Sequence, residues 1–193
     1  MAPQLVTQAD IVELDMDAVP VTENAPKLYL ERFIHSEIYR ARPDVMAVVH
    51  SHSHSIVPLS VVKSFPLRPL FHMAGFIGEG APVFEIRDAG GIGTDLLIRN
   101  QELGRALAAM FSSNKIVLMR GHGSTVIAET LQKAVYRAVY AELNARYQVQ
   151  ASRLGEITYL SPEEARACVI SIEGQIQRPW DFWKQQAAAN RNH

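Results

Sequence analysis

The hydrophobic and polar positions in the first half of the chain change from a helical to a strand period. Leu30, Ile34 and Ile38 recur every four residues, and this spacing predicts an amphipathic helix over residues 26–41. The segment begins with a proline, which suits a first helical turn, and it must stop before the next proline. The continuous apolar run over residues 45–49 is typical of a buried strand.

The second half of the chain repeats this alternation. Residues 81–86 and 115–119 predict two further strands, the latter ending at Gly-His-Gly. Asn100 can cap a helix that reaches about residue 111, and residues 161–164 combine a serine cap, a proline and a glutamate in the order of a helix start. A long helix is predicted over residues 129–153. Interleaved helices and strands indicate a layered α/β protein. The apolar stripe predicted for the long helix consists of Leu131, Val135, Val139, Leu143 and Tyr147.

Composition restricts the class of protein without naming its chemistry. The 193 residues, 48% of them hydrophobic, suffice to bury one core, and a net charge of −1 gives no electrostatic signature for nucleic acid or an acidic membrane. The single cysteine, Cys168, excludes an intrachain disulfide. Neither a secretion signal nor an apolar run of the roughly 20 residues of a membrane span is evident. We therefore expect one cytoplasmic domain that binds neither nucleic acid nor membrane.

A group of histidines gives the clearest chemical signal. His50 and His52 follow the first predicted strand, and residues two apart on an extended chain face the same side. Imidazole nitrogens bind zinc and other late first-row divalent metals. Because two ligands are too few for a catalytic metal, we take His122, which stands between Gly121 and Gly123, as the third. The less favoured alternative is a solvated loop whose histidines are neighbours by coincidence.

The other candidates are weaker on spacing alone. His54 is not expected to bind the same ion, because three histidines in one short run rarely all reach one metal. For His35 and His72, a structural or surface role is at least as well supported as a chemical one. Glu31 lies one predicted helical turn before His35 and is a candidate general base, but a surface ion pair with a nearby arginine is favoured. Residues 90–93 lack the third glycine of a dinucleotide fingerprint.

The order of these features is itself specific. A helix, Arg-Pro-Asp, an apolar strand and His-x-His follow one another in residues 31–55, and a second strand precedes Gly-His-Gly in residues 116–126. With the long helix behind them, these stretches resemble the class II aldolase/adducin family, over roughly residues 8–160. The resemblance implies a three-layer α/β/α sandwich around a mostly antiparallel sheet. It also implies a homotetramer with active sites at the subunit interfaces.

Carried over position by position, the resemblance implies roles for five side chains. His50, His52 and His122 match the metal ligands, and Glu31 matches the catalytic carboxylate. His72 occupies the place of a tyrosine that, in the sugar-phosphate aldolases, reaches a neighbouring subunit's site, which implies a catalytic role as proton donor. The implied cofactor is a divalent metal ion, with zinc expected first and manganese, iron or cobalt as alternatives.

Two departures from the sugar-phosphate aldolases concern the substrate. Residues 28–30, Leu-Tyr-Leu, supply almost no anion-binding groups before the carboxylate. The chain also starts where family members already have a leading helix, strands and a phosphate loop, so the single domain spanning residues 1–193 is expected to lack the N-terminal part of the family domain. The resemblance is greatest to decarboxylases of hydroxylated aromatic or pyridine dicarboxylates, whose segments resemble residues 159–165.

These features together predict a metal-dependent carbon–carbon lyase. Its expected reaction is the decarboxylation of a hydroxylated aromatic or heteroaromatic carboxylate. One alternative is a retro-aldolase or epimerase acting on a small hydroxy-carbonyl compound. The other is an adducin-like assembly module without chemistry.

Overall fold

The computed structural model describes residues 5–190 of the chain. The first four residues, on which the expected truncation partly rests, and residues 191–193 lie outside the described part. Before the first α-helix the chain is largely irregular, with one isolated antiparallel bridge between Leu14 and Pro20. The elements that follow are α1 (Arg32–Ala41), β1 (Ala47–Ser51), α2 (Ile56–Leu59), β2 (Val83–Phe84), α3 (Arg87–Gly90), α4 (Gln101–Ala108), β3 (Ile116–Met119), β4 (Gly123–Ala128), α5 (Leu131–Ala151), α6 (Pro162–Glu173) and α7 (Gln177–Asn190).

The four strands form one sheet in the order β1-β4-β3-β2. Strand β4 runs antiparallel to both β1 and β3, and only the short β2 is parallel to its neighbour. The sheet is therefore mostly antiparallel, as expected. Strand β4 itself was not predicted, because Ser124 and Thr125 are buried polar residues that hide its apolar pattern.

Helices cover both faces of the sheet. In β3, Ile116 and Leu118 belong to a core that includes buried residues of α5. The alternate residues Val117 and Met119 belong to a second core with the buried residues of α1 and α4. Since successive side chains of a strand point to opposite faces, these two cores define the expected α/β/α sandwich.

Helix α1 begins six residues later than predicted. The segment over residues 26–31 is held in a non-helical path, in which the Arg32 guanidinium donates to the Tyr29 carbonyl at 3.2 Å. Leu30 is 38% exposed, so the predicted stripe of α1 loses its first member, whereas its two isoleucines are fully buried. As a result, Glu31 occupies the N-cap position rather than the middle of a helix.

Helix α5 was predicted with nearly correct bounds but with the wrong buried face. Leu131 is 56% and Tyr147 is 40% exposed. The helix instead buries an amide face, which carries the side-chain amides of Asn144 and Gln148. Residues 66–70 cross this face and form hydrogen bonds with these amides. The Leu70 N–H donates to Asn144 at 2.8 Å, and Gln148 donates to a carbonyl of the same segment at 2.7 Å. The buried residues of α5 are Ala134, Tyr136, Arg137, Ala141, Asn144, Ala145 and Gln148.

The predicted helix starts are confirmed at two positions. The Asn100 side chain accepts from the Leu103 N–H at 2.9 Å, and Ser161 and Glu164 form a reciprocal capping box. The predicted strand over residues 81–86 is reduced to two residues, and the tail forms a helix, α7, that the sequence did not suggest. Among the described residues, no helix has the length and apolar character needed to cross a membrane.

Candidate metal and active site

Four side chains converge at the sheet edge where β1 ends and β4 begins. His50 is the penultimate residue of β1, and His52 follows the strand directly. His122 closes the turn that joins β3 to β4, and its N–H donates to a carbonyl of β3. Glu31 reaches the same point from the N-cap of α1. Because β1 and β4 are antiparallel, the end of one strand meets the start of the other, and the three histidines become neighbours.

The ligand atoms of these residues face a common centre. The Nε2 atom of His52 lies 3.2 Å from Nε2 of His50 and 2.9 Å from Nε2 of His122. The Oε2 atom of Glu31 lies 3.4 Å and 3.3 Å from the same atoms of His50 and His122. All four ligand atoms lie within 4.8 Å of one another. Three nitrogens and one oxygen are thus available to a single ion.

Backbone carbonyls fix the orientation of two of the rings. The Nδ1 atom of His50 lies 3.1 Å from the carbonyl of Ser124, and Nδ1 of His122 lies 2.9 Å from the carbonyl of Leu96. A carbonyl oxygen only accepts, so each Nδ1 carries a proton. In the neutral imidazoles the lone pairs are therefore on Nε2 and point at the centre, as metal-binding histidines require.

Glu31 supplies the negative charge of the site. Its Oε1 accepts from the backbone N–H of Ile98 at 3.1 Å, which leaves Oε2 facing the rings. Burial alone would raise the pKa of Glu31. Without a metal ion, the doubly protonated rings of His122 and His50 donate to its carboxylate through Nε2, and together with the Ile98 N–H they hold the pKa well below its usual range. Conversely, burial lowers the pKa of His122, and the neighbouring Glu31 carboxylate raises it above the usual value.

Local backbone geometry makes this convergence feasible. Gly121 has a φ of +65° in the turn before His122, a conformation that favours glycine. At Gly123 a Cβ atom would lie 2.1 Å from the carbonyl oxygen of Ser51, so no other residue fits between the strands. Leu96 has a φ of +71°, which is rare for a residue other than glycine, and its carbonyl holds His122. The segment around Leu96 thus orients two of the four groups.

The chemistry of this donor set fits a divalent metal ion. Three imidazole lone pairs and a carboxylate repel one another unless a cation or extra protons lie between them. Three nitrogens and one carboxylate oxygen are ligands that zinc and neighbouring first-row metals accept.

The other histidines within residues 5–190 lie outside this cluster. His72 is exposed at the start of a 3-10 turn and lines a different pocket with Met73 and Tyr136. Its role as a proton donor in a neighbouring subunit's site stays a prediction. His54 is exposed and faces α5. His35 lies on α1, where burial lowers its pKa to about 4.

A cleft of about 490 Å³ opens beside the cluster. Besides residues of the cluster and Ser51, its lining consists of Tyr29, Leu30 and Leu97. Among the described residues, no lysine or arginine lines it. The cleft therefore offers apolar and aromatic surface directly beside the four converging side chains.

Several groups that build the site have no signature in the sequence. Leu96, Ile98 and Ser124 act through backbone atoms, so their residue types carry no chemical signal. Leu97 lines the cleft because of the path that its loop takes in the folded chain, and this path has no signature in the sequence.

The fold and the cluster define a class of protein: an α/β/α sandwich with three histidines and one carboxylate converging at a sheet edge. The family model described as the class II aldolase and adducin N-terminal domain matches residues 1–149, and the chain belongs to this family.

Relatives in this family include decarboxylases and an aldolase. The chain is 36% identical to the decarboxylase tropJ of Talaromyces stipitatus, over 96% of this chain and 78% of that protein. It is 29% identical to the 3,4-dihydroxyphthalate decarboxylase of Arthrobacter keyseri, over 93% of this chain and 72% of that enzyme. Among solved structures, an L-fuculose 1-phosphate aldolase superposes with a TM-score of 0.70 at 25% identity, covering 88% of this chain and 74% of the aldolase.

Proposed function

We propose that this protein is a metal-dependent lyase that decarboxylates a hydroxylated aromatic or heteroaromatic carboxylate. The observation that carries the proposal is the convergence of Glu31, His50, His52 and His122 beside an apolar cleft. His50, His52 and His122 would hold a divalent ion, zinc in the first place, with manganese, iron or cobalt as alternatives, and the Glu31 carboxylate would lie beside this ion. When bound, such an ion supplies Lewis-acid polarisation of substrate oxygen atoms.

The cleft supports a ring-shaped substrate over a sugar phosphate. Tyr29, Leu30 and Leu97 present apolar surface to a substrate at the cluster, and none of the described lining residues is a lysine or arginine that could bind a phosphate group. Aromatic rings gain from contact with such surface. The names of two relatives, both decarboxylases and one of them acting on a dihydroxyphthalate, agree with this substrate class.

Glu31 is the residue to which we assign proton transfer. In decarboxylation the bond between the ring carbon and the carboxyl carbon breaks, and carbon dioxide leaves. The electron pair of this bond stays on the ring carbon until a proton takes the place of the carboxyl group. The Oε2 atom of Glu31 faces the cluster, whereas Oε1 is engaged by Ile98. We therefore place the transferred proton on Oε2. His72 is proposed as a second donor, acting in the site of a neighbouring subunit because it lies outside the cluster of its own chain.

Assembly into a homotetramer belongs to the same proposal. The apolar stripe of α5 is incompletely buried in the single chain, with Leu131 and Tyr147 exposed at its two ends. Val139 and Leu143 of this stripe also line a groove shared with His52. A second copy packed on this surface would cover the stripe and approach the site.

The proposal is tested by measuring carbon dioxide release. Protein loaded with zinc or manganese is incubated with a panel of ortho-hydroxylated aromatic and pyridine carboxylates, and a matched His122→Ala variant serves as the control. We expect release from at least one acid by the wild type and none above background by the variant. Absence of release from every acid by protein that has bound metal would overturn the substrate assignment.

A second candidate is a retro-aldolase or epimerase, and the superposition on the L-fuculose 1-phosphate aldolase favours it. The metal site would be the same, and Glu31 would move a proton next to a carbonyl group. Cleavage or epimerisation of phosphate-free hydroxy-carbonyl compounds, without carbon dioxide release, would support this reaction instead. An adducin-like module without chemistry is the third reading, and failure of the wild type to bind any divalent metal would favour it.

A further inference from the structure

Glu142 lies on α5 and binds the loop that carries His52. Its Oε2 accepts from the backbone N–H of Ser55 at 3.1 Å and from the hydroxyl of Ser53. Its Oε1 accepts from the Ser55 hydroxyl. Three donors from one short loop therefore bind a single carboxylate, and hydrogen bonds to a charged acceptor are stronger than neutral ones.

His52 is the member of the cluster that most needs such support. His50 and His122 are each held through Nδ1 by a backbone carbonyl, and Glu31 is held through Oε1 by a backbone N–H. Within residues 5–190, no corresponding hydrogen bond is formed by Nδ1 of His52, whose ring is also exposed. The position of this ring therefore depends on the backbone that carries it.

The direction of the Glu142 side chain is informative. Arg146 lies four residues later on α5, the spacing at which a glutamate and an arginine on a helix ordinarily pair. In the described structure these two side chains form no ion pair, and the carboxylate turns instead toward Ser53 and Ser55.

We propose that Glu142 is a positioning residue for His52. It anchors the loop immediately after His52 to the rigid helix α5, and so gives the third imidazole the fixed position that the other two obtain from backbone carbonyls. The inference rests on the proposed metal site. Loss of a group hydrogen-bonded directly to a metal-binding side chain typically reduces metal affinity by about 10- to 100-fold, and we take this range as the scale of the expected effect of Glu142.

The experiment measures metal binding rather than turnover. Wild-type protein, Glu142→Ala and Glu142→Gln are titrated with zinc against a chromophoric chelator, and with cobalt while the visible absorption bands are recorded. We expect the alanine variant to bind zinc about 10- to 100-fold more weakly and to show altered cobalt bands. The glutamine variant, which keeps one acceptor oxygen, should recover part of the loss. Glu156→Gln, the same chemical change at an exposed loop position, should match the wild type.

A double variant separates positioning from general stability. If Glu142 acts through His52, Glu142→Ala should lower zinc affinity no further in a His52→Ala background. Should Glu142→Ala fail to fold, Ser53→Ala replaces it and is judged by the same criteria. Wild-type affinity and cobalt bands in the alanine variant, or an equal further loss in the His52→Ala background, would overturn the inference. A wild type that binds neither zinc nor cobalt would instead contradict the proposed metal site.

Discussion

At the scale of single residues, Glu31 supplies the negative charge of the candidate site. Glu31→Gln keeps an oxygen that accepts from Ile98 but removes the group that carries the proton. We therefore expect kcat for carbon dioxide release to fall about 10²- to 10⁴-fold, with little change in melting temperature. Steady-state assays of the two metal-loaded proteins check this, with Glu156→Gln as the control. An unchanged kcat would remove Glu31 from the reaction.

His35 is expected to make stability depend on pH. Burial lowers its pKa from 6.5 to about 4, so the folded protein binds this proton less readily than the unfolded chain. The contribution of His35 to the free energy of unfolding is complete above pH 6.5. It is lost as the pH falls toward 4, by at most about 1.4 kcal/mol per pH unit. Urea unfolding between pH 4.5 and 7.5 should show a smaller slope for His35→Phe than for the wild type. The exposed His54→Gln should keep the wild-type slope, and equal slopes in all three proteins would contradict this assignment.

The sequence allowed functional residues to be predicted where they occur in a short, recognisable pattern. His50 and His52 share a strand face and His122 sits between two glycines, so their spacing anticipated that they would lie together. For Glu31 the residue pattern alone favoured an ion pair with arginine. In the folded chain its carboxylate faces the histidines, since α1 begins after it and the Ile98 N–H fixes one oxygen. No local pattern encodes that long-range contact.

At the scale of elements, the amide face of α5 holds the segment over residues 66–70. Asn144 accepts from the Leu70 N–H and donates to the Arg68 carbonyl at 2.7 Å. Asn144→Leu leaves both backbone groups without this partner, and we expect unfolding free energy to fall by about 2–4 kcal/mol. Urea unfolding measures the loss. The exposed Gln150→Leu on the same helix should change stability by at most about 0.5 kcal/mol, and an equal effect of the two changes would contradict the account.

Helices α1 and α4 meet at Gly104. A Cβ atom there would lie 2.6 Å from the carbonyl oxygen of Phe33 and 2.9 Å from Cγ of Glu37. Alanine normally favours a helix over glycine by about 1 kcal/mol, but this contact should reverse the sign and cost about 1–3 kcal/mol. Urea unfolding of Gly104→Ala tests this. At Gly174, no atom of the described residues beyond its two chain neighbours lies within 4 Å of an added Cβ, so Gly174→Ala serves as the control and should be close to neutral.

Element prediction succeeded where one physical rule dominated. Caps at Asn100 and Ser161 and the all-apolar run of β3 were readable because each depends on adjacent residues. Strand β4 and the buried face of α5 were missed for one reason: both bury polar side chains. A prediction from hydrophobic periodicity assigns such polar residues to the solvent-exposed face.

At the scale of the whole molecule, the incompletely buried apolar stripe of α5 leads to a prediction about assembly. The wild type should sediment as an oligomer, because burying this stripe between copies removes apolar surface from water. Leu131→Glu combined with Val139→Glu should shift the protein toward monomer in sedimentation velocity. Ile170→Glu, at an exposed position of α6, serves as the control and should leave assembly unchanged. A monomeric wild type would contradict the proposed tetramer.

The central claim is that His50, His52 and His122 bind one catalytic divalent ion beside the Glu31 carboxylate. The direct measurement is the metal content of the purified chain after zinc loading and gel filtration, determined by elemental analysis beside a His50→Gln, His52→Gln, His122→Gln triple variant of confirmed fold. The account predicts one zinc ion per wild-type chain and none in the variant. A wild type without zinc, or a variant that retains as much zinc as the wild type, would contradict it.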